Sequence, residues 1–213
     1  HDLKKMWILK EQYVIDSAFI KEPWKKLTYL DIKKITKKTS KGYIYNALNR
    51  LEKERIITSE KIGKSIVYIW NLSSTSAQNY AGFLIEYISW DQEHIPLQII
   101  ENIRNKIPTK FFILIVTGSY AKKKQTKQSD LDIAIICDDS NDPKNIMAQI
   151  NHESELSIPI VHSYVFTKKQ FLDMLFDEEE NYGKEMARHN FIFNGGSQYY
   201  AILNEAIKHG FRG

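Results

Sequence analysis

Phe111-Phe112-Ile113-Leu114-Ile115-Val116 is an unbroken apolar run of strand length, and it ends in Thr117-Gly118-Ser119. With ten residues between, Ser119 is followed by Asp130-Leu131-Asp132-Ile133-Ala134-Ile135-Ile136, a second such run opened by two acids. A continuous run, unlike an alternating one, predicts a strand covered on both faces, so the first is expected at the centre of a small sheet. Along the second, alternation puts Asp130 and Asp132 on one face about 6–7 Å apart, with Leu131 turned to the core. Two carboxylates so placed repel unless a cation lies between them. Mg²⁺ favours such hard oxygen ligands together with the phosphates of a substrate. Gly118 lacks a Cβ, so the chain can approach a phosphate closely where the strand ends. A helix opening at Gly118-Ser119 would add N–H groups and a hydroxyl.

Outward from this pair, a third strand is expected at 158–166. It holds His162 and no acid. His162 is a candidate general base, weighed against the commoner role of a hydrogen-bonded structural histidine. Glu153 and Glu155 lie just before that strand and are the nearest further carboxylates. Helices are expected at 77–90, 96–107, 168–176, 178–188 and 198–209, the first with an apolar stripe of Tyr80, Leu84, Tyr87 and Ile88 for core or interface. The fold class is α+β, a small mixed sheet backed by helices.

The first third of the chain differs in charge. Residues 1–73 carry 16 Lys and Arg against 8 Asp and Glu, a net of +8, while the remainder carries 14 against 18, a net of −4. Such asymmetry suggests a polyanion as partner of the first part. Its pattern reads as a helix over 6–19, with Trp7, Val14, Ile15 and Ala18 on the apolar face, broken by Pro23. A short helix capped by Thr28 and Asp31 follows, with Leu30, Ile32 and Ile35 inward. A third helix opens at Ser40 and buries Ile44, Ala47 or Leu48, and Leu51. Tyr43, Asn46, Asn49, Arg50 and Lys53 then face out. Strands at 57–62 and 65–72 turn at Gly63-Lys64, the second with Ile66, Tyr68, Trp70 and Leu72 on its inner side. The polar break Ser73-Ser74-Thr75-Ser76 divides the chain into domains 1–73 and 74–213.

The order helix, helix, turn, helix, basic hairpin, carried by Leu27-Thr28-Tyr29-Leu30-Asp31-Ile32, Tyr45–Glu52 and Lys61-Ile62-Gly63-Lys64, resembles the winged helix-turn-helix superfamily. The resemblance implies an N-terminal winged helix-turn-helix that binds double-stranded DNA, with Lys41, Tyr43, Asn46, Asn49, Arg50 and Lys53 in the major groove and Lys61 and Lys64 on the backbone or minor groove. Gly118-Ser119 followed after ten residues by Asp130-Leu131-Asp132 is similar to the signature of the DNA polymerase beta superfamily, in its minimal and aminoglycoside-type branch. This resemblance implies that Gly118 and Ser119 hold the triphosphate of an NTP and that Asp130 and Asp132 bind one or two Mg²⁺. It further implies attack of an acceptor hydroxyl on the α-phosphate with release of pyrophosphate. Where the family carries a second glycine this chain has Lys122-Lys123, which could contact phosphate. Where active members carry a third carboxylate on the next strand, this one has none.

The bulk composition, 43% hydrophobic and 26% charged, is that of an ordinary folded chain. The lone Cys137 excludes an intrachain disulfide and favours a reducing, cytoplasmic setting. No apolar run approaches the roughly 20 residues of a membrane helix. Two readings stand side by side. One is an active Mg²⁺-dependent nucleotidyltransferase that the winged helix directs to DNA. The other is a DNA-binding transcriptional regulator whose weak or inactive transferase-like domain senses nucleotide or serves dimerisation. The acceptor is open, a partner protein included, and a homodimer is expected.

Overall fold

The structure, a computed structural model, describes residues 13–155 and 157–213. It divides into two compact units, residues 1–77 and 78–213, and its class is α+β. No helix among the described residues is long and apolar enough to cross a membrane.

The first unit runs α1 (Tyr13–Ile20), β1 (Leu27–Thr28), α2 (Tyr29–Thr36), α3 (Lys41–Lys53), β2 (Ile57–Ile62) and β3 (Ser65–Trp70). Trp7 and the expected start of the first helix lie outside the described residues. Within α1 the buried face is Ile15, Asp16, Phe19 and Ile20, while Val14 and Ala18, expected on it, are half-buried at its margin. Thr28 and Asp31 close a full capping box on α2, with Asp31 N donating to Thr28 Oγ1 at 3.2 Å and Thr28 N to Asp31 Oδ2 at 2.8 Å. Of the three apolar positions expected inward on α2 only Ile32 is buried; Leu30 is 71% and Ile35 52% exposed. At about 100° per residue, Leu30 stands on the far side of the helix from Ile32. Ile35 falls on the opposite flank from Tyr29 and Thr36, which are half-buried and complete the inner arc.

The turn ends at Ser40, whose hydroxyl accepts from Tyr43 N at 3.3 Å, and Ile44, Ala47, Leu48 and Leu51 of α3 are buried. β2 and β3 form the expected hairpin, and β1 adds a third antiparallel strand that the sequence pattern did not foretell, in the order β1-β3-β2. Tyr68, Trp70 and Leu72 are buried, but Ile66, nearer the hairpin tip, is half exposed.

The second unit continues from α4 (Thr75–Trp90) through α5 (Leu97–Lys106), β4 (Phe112–Val116), α6 (Gly118–Ala121), β5 (Leu131–Cys137), α7 (Pro143–Glu155), β6 (Val161–Thr167), α8 (Lys168–Phe176), α9 (Tyr182–Arg188), β7 (Phe191–Asn194) and α10 (Gly196–Lys208). Its sheet has the order β6-β5-β4-β7; β5 and β6 are parallel, joined by the crossover helix α7, and the other pairs are antiparallel. Both faces are covered. Leu114, Val116, Leu131, Ile133, Ile135, Val161, Phe191 and Phe193 pack with Ile100 and Ile103 of α5 and Ile146 and Ile150 of α7. On the other face α8 lies against β5 and β6, and α10 against β4. This double cover explains the continuous apolar runs of β4 and β5.

Helix α7 and strand β7 were not foreseen. β6 begins three residues later than expected, leaving Ile158 and Ile160 exposed before it. α9 starts at Tyr182 and not near residue 178, because the Asn181 side chain caps it by accepting from Lys184 N at 3.1 Å. On α4 the buried positions include Ala81, Leu84 and Ile85, so of the expected stripe Tyr80, Tyr87 and Ile88 sit half-buried on its flanks. Gly82 is what lets α10 approach: a Cβ there would stand 2.3 Å from Ser197 N. One turn further on, the Glu86 carboxylate accepts the Gly196 N–H at 2.6 Å, capping α10 from outside the helix.

Candidate active site

The end of β4 and the starts of β5 and β6 meet at one end of the sheet of the second unit. Thr117 N donates to Asp132 O at 3.0 Å, and the buried Thr117 hydroxyl donates to His189 O at 3.1 Å. The first bond holds the strand end against β5, and the second ties it to the turn between α9 and β7. The chain then turns through Gly118, at φ +65°, into α6. A Cβ on Gly118 would stand 2.0 Å from Asp132 Oδ2, so glycine is needed here for both its backbone angle and its lack of a side chain. α6 is a single turn, so what it could offer an anion is the N–H groups of that turn and the Ser119 hydroxyl, with little helix dipole behind them.

Leu131 is fully buried, as its alternation requires, while Asp130 and Asp132 are half-buried on the other side of the chain. In the parallel register Asp132 stands abreast of His162. The imidazole lies between the two acids, with Nε2 3.8 Å from Asp130 Oδ2 and Nδ1 3.8 Å from Asp132 Oδ1. The position where a third carboxylate would be sought is therefore taken by a histidine paired to both of the others. Glu153 and Glu155 have side chains outside the described part of the structure.

Burial holds the Asp132 carboxyl above the usual carboxylate range; His162 opposes this, and the charges of Asp130 and Glu185 add to it. Burial likewise raises the Tyr120 phenol, with a further push from Asp130. The site is thus a focus of negative charge short of counter-charge. Lys122 supplies part of it, but its Nζ is held 2.5 Å from Glu185 Oε1. Lys123 Nζ lies over the Phe191 ring, 5.9 Å from its centre. Both lysines were expected at phosphate; in this structure neither is directed at the acid pair alone.

Among the described residues no three His, Cys, Asp or Glu side chains are arranged as a closed metal site. Mg²⁺ does not call for one, since it is commonly held by one or two carboxylates, waters and the phosphates of a substrate. Two adjacent hard-oxygen donors, one with its ionised form disfavoured by burial and by its neighbour, fit that mode. Beside them a cleft of about 470 Å³ runs along β6, lined by His162, Ser163 and Tyr164 and by Met147, Asn151 and Ser154 of α7.

Sequence reasoning missed Glu185, Tyr164 and Tyr182. Tyr164 could have been found, since it lies two residues beyond His162 on the same strand face. Glu185 and Tyr182 come from a helix more than fifty residues past the acid pair, and only the tertiary fold brings them near.

On the first unit, Lys41, Asn46, Asn49 and Lys53 of α3 and Lys61 and Lys64 of the hairpin are exposed. Tyr43 and Arg50 are not fully outward. Both are half-buried at the margin of the helix face, and the Arg50 guanidinium stands 3.6 Å from the buried carboxylate of Asp16 on α1. At roughly 100° per residue Arg50 is one step from the Asn49 direction toward the buried arc. Lys41 lies over the Tyr45 ring at 5.7 Å, and Tyr45 stacks on Tyr29.

Compared with known proteins, the chain matches no curated protein and no solved structure. Residues 98–182, from α5 to the first residue of α9, match the model of the family described as Polymerase beta, Nucleotidyltransferase, and this match supports a nucleotidyltransferase-type fold for that stretch of the second unit.

Proposed function

We propose that the second unit transfers a nucleoside monophosphate from an NTP to an acceptor hydroxyl, and that the first unit, as a winged helix, holds the protein on double-stranded DNA. The observation that carries the transferase reading is the Asp130–His162–Asp132 group beside Gly118. Asp130 and Asp132 would hold Mg²⁺, which when bound neutralises the triphosphate and orients it for in-line displacement. Gly118 and Ser119 bind the triphosphate through backbone N–H groups and the Ser119 hydroxyl. Lys122 can leave Glu185 for a phosphate oxygen. His162, in its neutral form, takes the proton of the acceptor hydroxyl as the new O–P bond forms and the bond to pyrophosphate breaks.

The supporting features on the first unit are its net charge of +8 and the exposed Lys41, Asn46, Asn49, Lys53, Lys61 and Lys64. Asn46 and Asn49 can read base edges, and the lysines neutralise phosphates. A second reading is favoured by one observation: the residue abreast of Asp132 is a histidine and not an acid. On that reading the domain binds nucleotide without transferring it, and nucleotide modulates DNA binding by the winged helix.

Transfer of label from α-labelled NTP to protein, nucleic-acid and small hydroxyl acceptors decides between them. The transferase reading expects label that is lost in Asp132→Asn. Bound nucleotide, no transfer to any acceptor class and a nucleotide-dependent shift in DNA affinity would establish the regulator instead.

A further inference from the structure

Within electrostatic reach of Asp132 lies a buried hydroxyl with no hydrogen-bond partner among the described residues. The oxygen of Tyr182 is buried, and among the described residues nothing donates to it or accepts from it. Its ring is well held, 4.9 Å from that of Tyr164 and 6.1 Å from that of Phe166. Those two residues follow His162 at alternate positions on β6, so they share its face of the sheet. Tyr182 opens α9, the helix that also carries Glu185, and Asn181 caps that helix immediately before it.

Leaving a buried hydroxyl unsatisfied costs about 1–3 kcal/mol, whereas phenylalanine in the same aromatic packing would cost nothing of the kind. A tyrosine kept there points to an acceptor that the folded chain does not itself supply. Burial is the main reason the phenol titrates well above its ordinary value, and the charge of Asp132 is the next. At neutral pH the group is therefore a hydrogen-bond donor only toward an oxygen acceptor. Asp132, the charge that acts on it most strongly, does not accept from it. The chemistry that a cation on Asp130 and Asp132 would bring to this place is phosphate.

We propose that Tyr182 is a binding residue of the site, its hydroxyl donating to an oxygen of the metal-bound triphosphate, while Tyr164 and Phe166 hold its ring in position. This rests on the nucleotidyltransferase reading and adds to it a contact from the start of α9. It also separates stability from binding at a single atom. Removing the hydroxyl should leave the fold as stable as before or more so, because an unpaired buried group is lost, while ligand affinity falls.

The test is calorimetric titration of the full chain, wild type and Tyr182→Phe, with Mg²⁺ and each of ATP, GTP and inorganic tripolyphosphate, beside thermal melts without ligand. Phenylalanine keeps the ring contacts, so the variant folds. The expected result is affinity about ten- to a hundredfold lower for nucleotide and tripolyphosphate alike, the range for a hydrogen bond to a charged group, with an equal or higher melting temperature. Equal affinities for wild type and variant would overturn the proposal and leave the transferase reading standing. Loss for nucleotide but not tripolyphosphate would overturn the phosphate assignment and place the contact on sugar or base. Wild type binding none of the three would overturn both.

Discussion

Asp132 is a residue at which folding and binding make opposite demands. Its carboxyl is partly buried, beside Asp130 and within reach of Glu185, and its proton is held more tightly in the folded chain than in the unfolded one. As pH rises from the unfolded to the folded value, the unfolded chain releases its proton first, so this group lowers stability progressively through that interval and keeps it lowered above. Asp132→Asn removes the ionisation. The variant should melt higher than wild type at about pH 7, with the difference closing toward about pH 3, below the ordinary carboxylate value. A pH-independent difference, or a wild type more stable at neutral pH, would contradict this origin of the shift. Gly118 belongs to the same arrangement, since any Cβ there would occupy the place of Asp132 Oδ2.

Among the elements, α3 divides its duties between folding and the exposed face. Arg50 looks outward when the helix is drawn as two halves, yet it sits at the boundary and pairs with the buried Asp16. Arg50→Ala removes a cation from beside that buried carboxylate and should lower stability by on the order of 1–3 kcal/mol, less than the 3–5 of a fully buried pair because the arginine is partly exposed. Asn49→Ala should stay within about 0.5 kcal/mol of wild type while weakening binding to duplex DNA. Denaturant melts and mobility shifts on both variants check the division. Unchanged stability in the first, or unchanged DNA affinity in the second, would refute the corresponding half. Elements of this length were legible where one signal dominated: the capping residues Thr28 and Ser40, the Gly63 turn, and the unbroken runs of β4 and β5. Elements were missed where the signal was short or borrowed. β1 is two residues long and β7 four, and among its described residues α7 buries only two apolar positions, Ile146 and Ile150, beside the polar Ser154. Leu30 and Ile35 were misplaced because a two-turn helix shows too narrow an inner arc for an apolar count to locate.

At the scale of the whole molecule, the acid pair and the Gly-Ser turn could be joined in the sequence because both lie at the ends of adjacent strands, ten residues apart. His162 was already a candidate base in the sequence, but its place beside Asp132 and the other residues that complete the site were not legible there. The parallel pairing of β5 and β6 sets His162 abreast of Asp132, and the return of the chain through α9 brings Glu185 and Tyr182 to it. Two-sided burial of the sheet then makes a firm base for a rim that is polar and negatively charged. The central claim is that this rim holds a metal-bound nucleoside triphosphate. Its most direct test is calorimetry of Mg²⁺-ATP and Mg²⁺-GTP with wild type and with Asp130→Ala, an exposed enough position that the fold should be kept. The account predicts saturable binding of at least one nucleotide that depends on Mg²⁺ and is abolished by the substitution. No binding to wild type, or binding undiminished in Asp130→Ala, would contradict it.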